Sequence, residues 1–98
     1  MLEEKNLVPV LTHELGHGIA LKLTESEWKE FYKLRGIPSG TPKQTTKWEL
    51  SPEEDFTEVY AHVLVKKPIQ TQYGKLKGTV DQTTIKHMMG LIERFNKN

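Results

Sequence analysis

Residues 9–23 read PVLTHELGHGIALKL, and this stretch sets the fold class. Leu11, Leu15, Ile19 and Leu23 recur at every fourth position, which predicts a helix from about Pro9 to Leu23 with one apolar face. Pro9 suits the first helical turn, where its missing N–H is no loss. Gly16 and Gly18 each cost a helix roughly 1 kcal/mol against alanine, so their presence predicts close approach by another element. Downstream, Thr24-Glu25-Ser26-Glu27 has the form of a capping box. Trp28, Phe31, Tyr32 and Arg35 follow at helical spacing, the aromatic residues as core, and Gly36 ends the run. Residues 36–47, GIPSGTPKQTTK, form a loop by composition. Ser51 and Pro52 open a third helix, with Phe56, Val59, Tyr60, Val63 and Leu64 as its apolar face and Pro68 as its stop. Residues 69–80 are ambiguous and could hold a short extended piece. Asp81 caps a last helix whose stripe is Ile85, Met88, Met89, Ile92 and Phe95. The expectation is a mainly α fold of three to four helices.

Composition narrows the function classes. The chain has 98 residues, a net charge of +1 and no cysteine. One domain is the most that this length holds. The balanced charge argues against a nucleic-acid arm or a polybasic membrane patch. The lack of cysteine removes disulfides, thiolate zinc sites and cysteine nucleophiles. The opening MLEEKNLV lacks a basic n-region and a long apolar run, and no stretch approaches the ~20 apolar residues of a membrane span. The cytoplasm is therefore the default expectation.

The chemistry lies in His13-Glu14-Leu15-Gly16-His17. Histidines four residues apart share a helix face, so both imidazoles can reach one metal ion, and neutral imidazole is a good zinc ligand. Glu14 is offset by about 100° around the axis, where a general base for a metal-activated water stands. At this composition an HExxH arises by chance in roughly 2% of such chains. A hydrolytic zinc site needs a third protein ligand and an open position. The sixth residue beyond His17 is Leu23, which excludes a third histidine at metzincin spacing. His62, His87 and the carboxylates remain. Glu54-Asp55-Phe56-Thr57-Glu58 fits best: Glu54 would bind the metal, and Glu58, one turn on, would accept the ring N–H of a ligand histidine. The competing account has Glu54 completing a capping box with Ser51 and Glu58 solvated. A register using Glu53 and Thr57 lacks a second carboxylate. His62 and His87 read as surface residues.

HELGH followed by SPEEDFTEVYAHV resembles the Glu-zincin zinc peptidases, and most closely their lethal-factor-like branch with the Pro-Pro endopeptidases. The resemblance spans most of residues 8–95. It implies that His13, His17 and Glu54 bind Zn2+, that Glu14 is the general base and that Glu58 supports a ligand from the second shell. It also implies that residues 1–98 are a single, truncated or partial zincin-like domain that hydrolyses a peptide or protein substrate. Two departures stand out. Where that branch carries a tyrosine seven residues before the ligand glutamate, this chain has Lys47, which could stabilise an oxyanion by charge. Tyr73 and His87 are alternatives for that role. Second, only about eight residues precede the first helix, so most of the upstream sheet that binds substrate by strand addition is missing. Self-association or a partner chain would complete it. The alternative function is a non-catalytic zinc-binding interaction module. Resembling families are often secreted, against the cytoplasmic default.

Overall fold

The computed structural model describes residues 4–74 and 79–96, with side chains from Leu11 onward. Four helices follow in order: α1 (Glu4–Ala20), α2 (Glu25–Arg35), α3 (Pro52–Val65) and α4 (Gln82–Asn96). A 3-10 turn, Trp48–Leu50, precedes α3. The fold is mainly α, and there is no strand among the described residues. The radius of gyration is 12.9 Å, close to the ~12.6 Å of a compact chain of this length. No helix among the described residues is long and apolar enough to cross a membrane.

Local signals set the helix ends. Thr24 and Glu27 form the reciprocal capping box: the Glu27 N–H donates to Thr24 Oγ1 at 3.1 Å and the Thr24 N–H to Glu27 Oε1 at 2.9 Å. Gly36 closes α2 in the left-handed conformation. Asp81 caps α4, its Oδ1 accepting from the Thr84 N–H at 2.8 Å. Two ends differ from expectation. α1 begins at Glu4, so Pro9 lies inside it and one main-chain hydrogen bond is forgone there. Ser51 stands at the N-cap of α3 but makes no side-chain cap bond. Its hydroxyl is taken by the loop, accepting from the Thr45 N–H at 2.9 Å.

α3 is the central element, packed on α1, α4 and the 3-10 turn. Phe56, Val59 and Tyr60 are buried on it beside Trp28 and Phe31 of α2 and Met88 and Leu91 of α4. Phe56 touches Phe31 edge-on at 5.3 Å and Trp28 at 5.5 Å between ring centroids. Such aromatic pairs add about 0.5–1.5 kcal/mol beyond the area they bury.

The buried face of α1 is not the leucine face. Thr12, Gly16 and Ala20 are buried, whereas Leu11 is 52% and Leu15 62% exposed. Ile19 and Leu23 are partly buried against the core. Small residues win because α1 lies almost against the α3 backbone. A Cβ on Gly16 would stand 3.1 Å from the Thr57 Cα, while Gly18 has open space around it. Only one of the two glycines marks a close approach. On α4 the stripe is likewise rotated, with Thr84, Met88 and Leu91 buried and Met89 exposed. Leu64 of α3 is also exposed.

A buried ion pair ties the halves together. Arg35, at the end of α2, donates from Nε to Asp55 Oδ2 at 2.7 Å and from Nη2 to Asp55 Oδ1 at 2.9 Å. The same guanidinium donates to the carbonyls of Tyr73 (2.9 Å) and Thr79 (2.6 Å), and Thr71 Oγ1 donates to Asp55 Oδ1. Residues 66–74 thus wrap over Arg35 without forming an extended strand, and the remainder of the ambiguous stretch, 75–78, lies outside the described residues. Gly74 has φ +110°, and a Cβ there would meet the Thr79 carbonyl at 2.9 Å and Arg35 Nη1 at 3.0 Å.

Candidate functional site

His13 and His17 project from one face of α1 toward the first turn of α3, which carries Glu53 and Glu54. The histidine Nε2 atoms are 3.1 Å apart. Glu54 reaches both: Oε2 lies 3.1 Å from His13 Nε2 and Oε1 lies 3.2 Å from His17 Nε2. With one donor atom from each residue, all three lie within 4.8 Å of one another. Tetrahedral ligands at 2.0–2.1 Å from a metal stand about 3.3 Å apart, so two nitrogens and a carboxylate converging in this way could hold one metal ion.

The tautomers follow from the outer contacts. His17 Nδ1 is 3.0 Å from Glu53 Oε1. A carboxylate only accepts, so Nδ1 carries a proton, and in a singly protonated ring Nε2 is then the nitrogen able to bind a metal. Glu53 is itself held by Gln44, whose Nε2 donates to Glu53 Oε2 at 2.9 Å, and the Glu53 N–H donates to the Lys43 carbonyl at 2.9 Å. The carboxylate beside His17 Nδ1 is therefore Glu53, which the sequence offers only as an alternative to Glu54 for the ligand. The signal was the 3.6-residue period itself: Glu53 and Glu54 both fall on the first turn of α3, and only the rotation of that helix decides which meets His17.

Glu58 is buried and faces Lys67, whose Nζ is 3.0 Å from Glu58 Oε2. The contact is an ion pair by distance without the alignment of a hydrogen bond. His13 Nδ1 is also buried, without a hydrogen-bond partner. Thr57 Oγ1 donates to the Glu54 carbonyl at 2.9 Å and lies 3.4 Å from His13 Nε2.

An open cleft of about 310 Å³ lies against this cluster, lined by His13, Glu14, Glu54 and Glu58 together with Trp48, Lys67 and Gln70. Glu14 is exposed at its edge. Lys47 is exposed and does not line the cleft; its carbonyl is engaged within the turn, accepting from Thr45 Oγ1 at 2.6 Å. Tyr73 hydrogen-bonds to the Leu50 carbonyl instead of facing the cleft, and burial raises its pKa, with Asp55 adding to the rise. His62 is half-buried, with Nδ1 3.0 Å from the Lys67 carbonyl. His87 is half-buried as well, with an unpartnered Nδ1, because Met88 beside it is fully buried and carries that part of α4 into the core. Neither histidine approaches His13 and His17 as a ligand.

The 36–47 loop does not wall this cleft. Tyr32 donates to the Thr41 carbonyl at 2.7 Å and Lys43 sits 5.5 Å over the Trp28 ring, which pin the loop along α2. It touches the site at Glu53, through the Gln44 side chain and the Lys43 carbonyl. No protein-family model matches the chain, and neither does any curated protein or solved structure.

Proposed function

We propose that this chain is a zinc-dependent metallopeptidase, with His13, His17 and Glu54 as ligands and Glu14 as general base. What supports the reading is the convergence of the two Nε2 atoms, 3.1 Å apart, on the Glu54 carboxylate beside an open cleft that Glu14 lines. Zinc held by these three residues would supply Lewis acidity and an acidified water. Glu14, at the edge of the cleft, would accept a proton from the water that attacks the peptide carbonyl carbon and return it to the leaving amine as the C–N bond breaks. Glu54 and Glu53 do different work: one neutralises part of the metal charge, the other holds His17 in its ligand tautomer. Glu58 stands one turn from Glu54 as a further outer-shell carboxylate. A second copy or a partner chain would supply the strand-binding edge, and the uncovered Leu11 and Leu15 of α1 leave a surface for it.

The test is a zinc titration by calorimetry together with peptide-library cleavage. One equivalent of zinc should bind. Glu54→Gln should abolish binding, Glu53→Gln should weaken it ~10–100-fold, and Glu14→Gln should keep zinc but lose cleavage. Zinc bound by a chain that cuts no peptide would leave the non-catalytic module. No zinc binding would remove both.

A further inference from the structure

We infer that Lys67 donates to the carbonyl oxygen of the peptide as that oxygen gains negative charge; this inference rests on the metallopeptidase reading. Lys67 is the cation among the residues lining the cleft with His13, Glu14 and Glu54. It comes there by a defined route. Lys66 ends α3 in the left-handed conformation at φ 59°, and its N–H donates to the His62 carbonyl at 2.9 Å. The chain reverses, His62 Nδ1 meets the Lys67 carbonyl at 3.0 Å, and the Lys67 side chain runs back to Glu58.

Glu58 is 2% exposed, so the ammonium is anchored by a buried carboxylate while its own side chain stays 20% exposed at the cleft. An ammonium has three N–H groups. One carboxylate that is not aligned for a hydrogen bond leaves the others for a ligand. Charge held in place before the reaction needs no reorganisation as an oxyanion forms, which is why such donors act strongly in enzyme sites. The arrangement also separates the duties of the acidic residues. Glu54 faces the histidines and Glu14 the cleft, while Glu58 positions the cation. Trp48, on the same cleft, offers a flat apolar wall against which a substrate side chain can lie.

The probe is acetohydroxamate, whose carbonyl oxygen takes the place of the peptide's, titrated into the Co2+-loaded full chain and followed by visible absorption. Lys67→Met should leave Co2+ affinity within twofold and weaken hydroxamate about tenfold, with Lys67→Arg restoring most of the loss. In peptide cleavage the same variant should lose ~10²-fold in kcat with little change in KM. Because Lys67→Met strands a buried carboxylate, Lys67→Met/Glu58→Gln is measured beside it, with far-UV circular dichroism as the check of folding. Unchanged hydroxamate affinity in the folded double variant overturns the role of Lys67, as does a loss found in Lys47→Met instead. Either result leaves the metal site standing, whereas failure of the unmodified chain to bind Co2+ removes the metallopeptidase reading and this inference together.

Discussion

Replacing Arg35 by Met should be among the most damaging single changes in this protein. Its guanidinium makes two hydrogen bonds to Asp55 and one each to the Tyr73 and Thr79 carbonyls, at 2.6–2.9 Å. Both side chains of the pair are sealed, 1% and 0% exposed. Methionine fills much of the volume but leaves the Asp55 carboxylate buried with the Thr71 hydroxyl as its remaining hydrogen-bond partner. Breaking a buried pair by removing one side costs roughly 3–5 kcal/mol. A domain of this size has about 5–15 kcal/mol of stability altogether, so roughly a fifth or more is lost. At about 4–8 °C per kcal/mol, the melting temperature should fall by at least ~12 °C. Urea unfolding followed by circular dichroism measures the change at constant m-value. Arg35→Met/Asp55→Leu should recover part of the loss, because no charge is stranded. Recovery stays incomplete, because two carbonyls lose donors worth about 1–3 kcal/mol each when buried. A single variant within 1 kcal/mol of the parent would refute the low-dielectric anchoring of this pair. A double variant no better than the single would refute the argument from a stranded charge.

Three further outcomes concern α1 and α4. Gly18→Ala should stabilise by about 0.5–1 kcal/mol, since nothing lies within 4 Å of the new methyl. Gly16→Ala should show no such gain and should weaken zinc binding, because its methyl pushes on the Thr57 backbone and parts α1 from α3; thermal melts and calorimetry read the two effects. Burial lowers the His87 pKa from its usual 6.5, while Glu30 and Glu27 pull the other way. The unfolded chain therefore takes up this proton more readily than the fold. His87's contribution is complete above pH 6.5 and is lost as pH falls below it. In metal-free protein, His87→Gln should flatten the decline in urea midpoint between about pH 6.5 and 5 relative to the parent; an identical decline in both would count against the burial of His87.

Much of the fold was legible because its signals are local. The Thr24–Glu27 box, the Gly36 stop and the Asp81 cap each act over a turn of chain, and each stands in the structure as the residues predict. The pairing of His13 with His17 is local too, since a helix puts residues four apart on one side. The helix faces were harder to read. Apolar periodicity pointed to Leu11 and Leu15, but the contact made by α1 is limited by how near its backbone comes to Thr57, and that favours Thr12, Gly16 and Ala20. The carboxylate that meets His17 is set in a similar way. Glu53 and Glu58 lie on different sides of α3, and spacing along one helix cannot say which side meets a second helix.

By itself, then, the amino-acid sequence determined the helices, the capped ends at Thr24, Gly36 and Asp81 and the histidine pair, because these depend on interactions within about one helical turn. The tertiary structure alone decided that Glu54 meets both histidines, that Glu53 holds His17, that Lys67 reaches the cleft and that Arg35 is sealed against Asp55. Those contacts join residues on different segments. They are set by the rotation and closeness of whole helices, which follow from packing the entire core and not from any one stretch of chain.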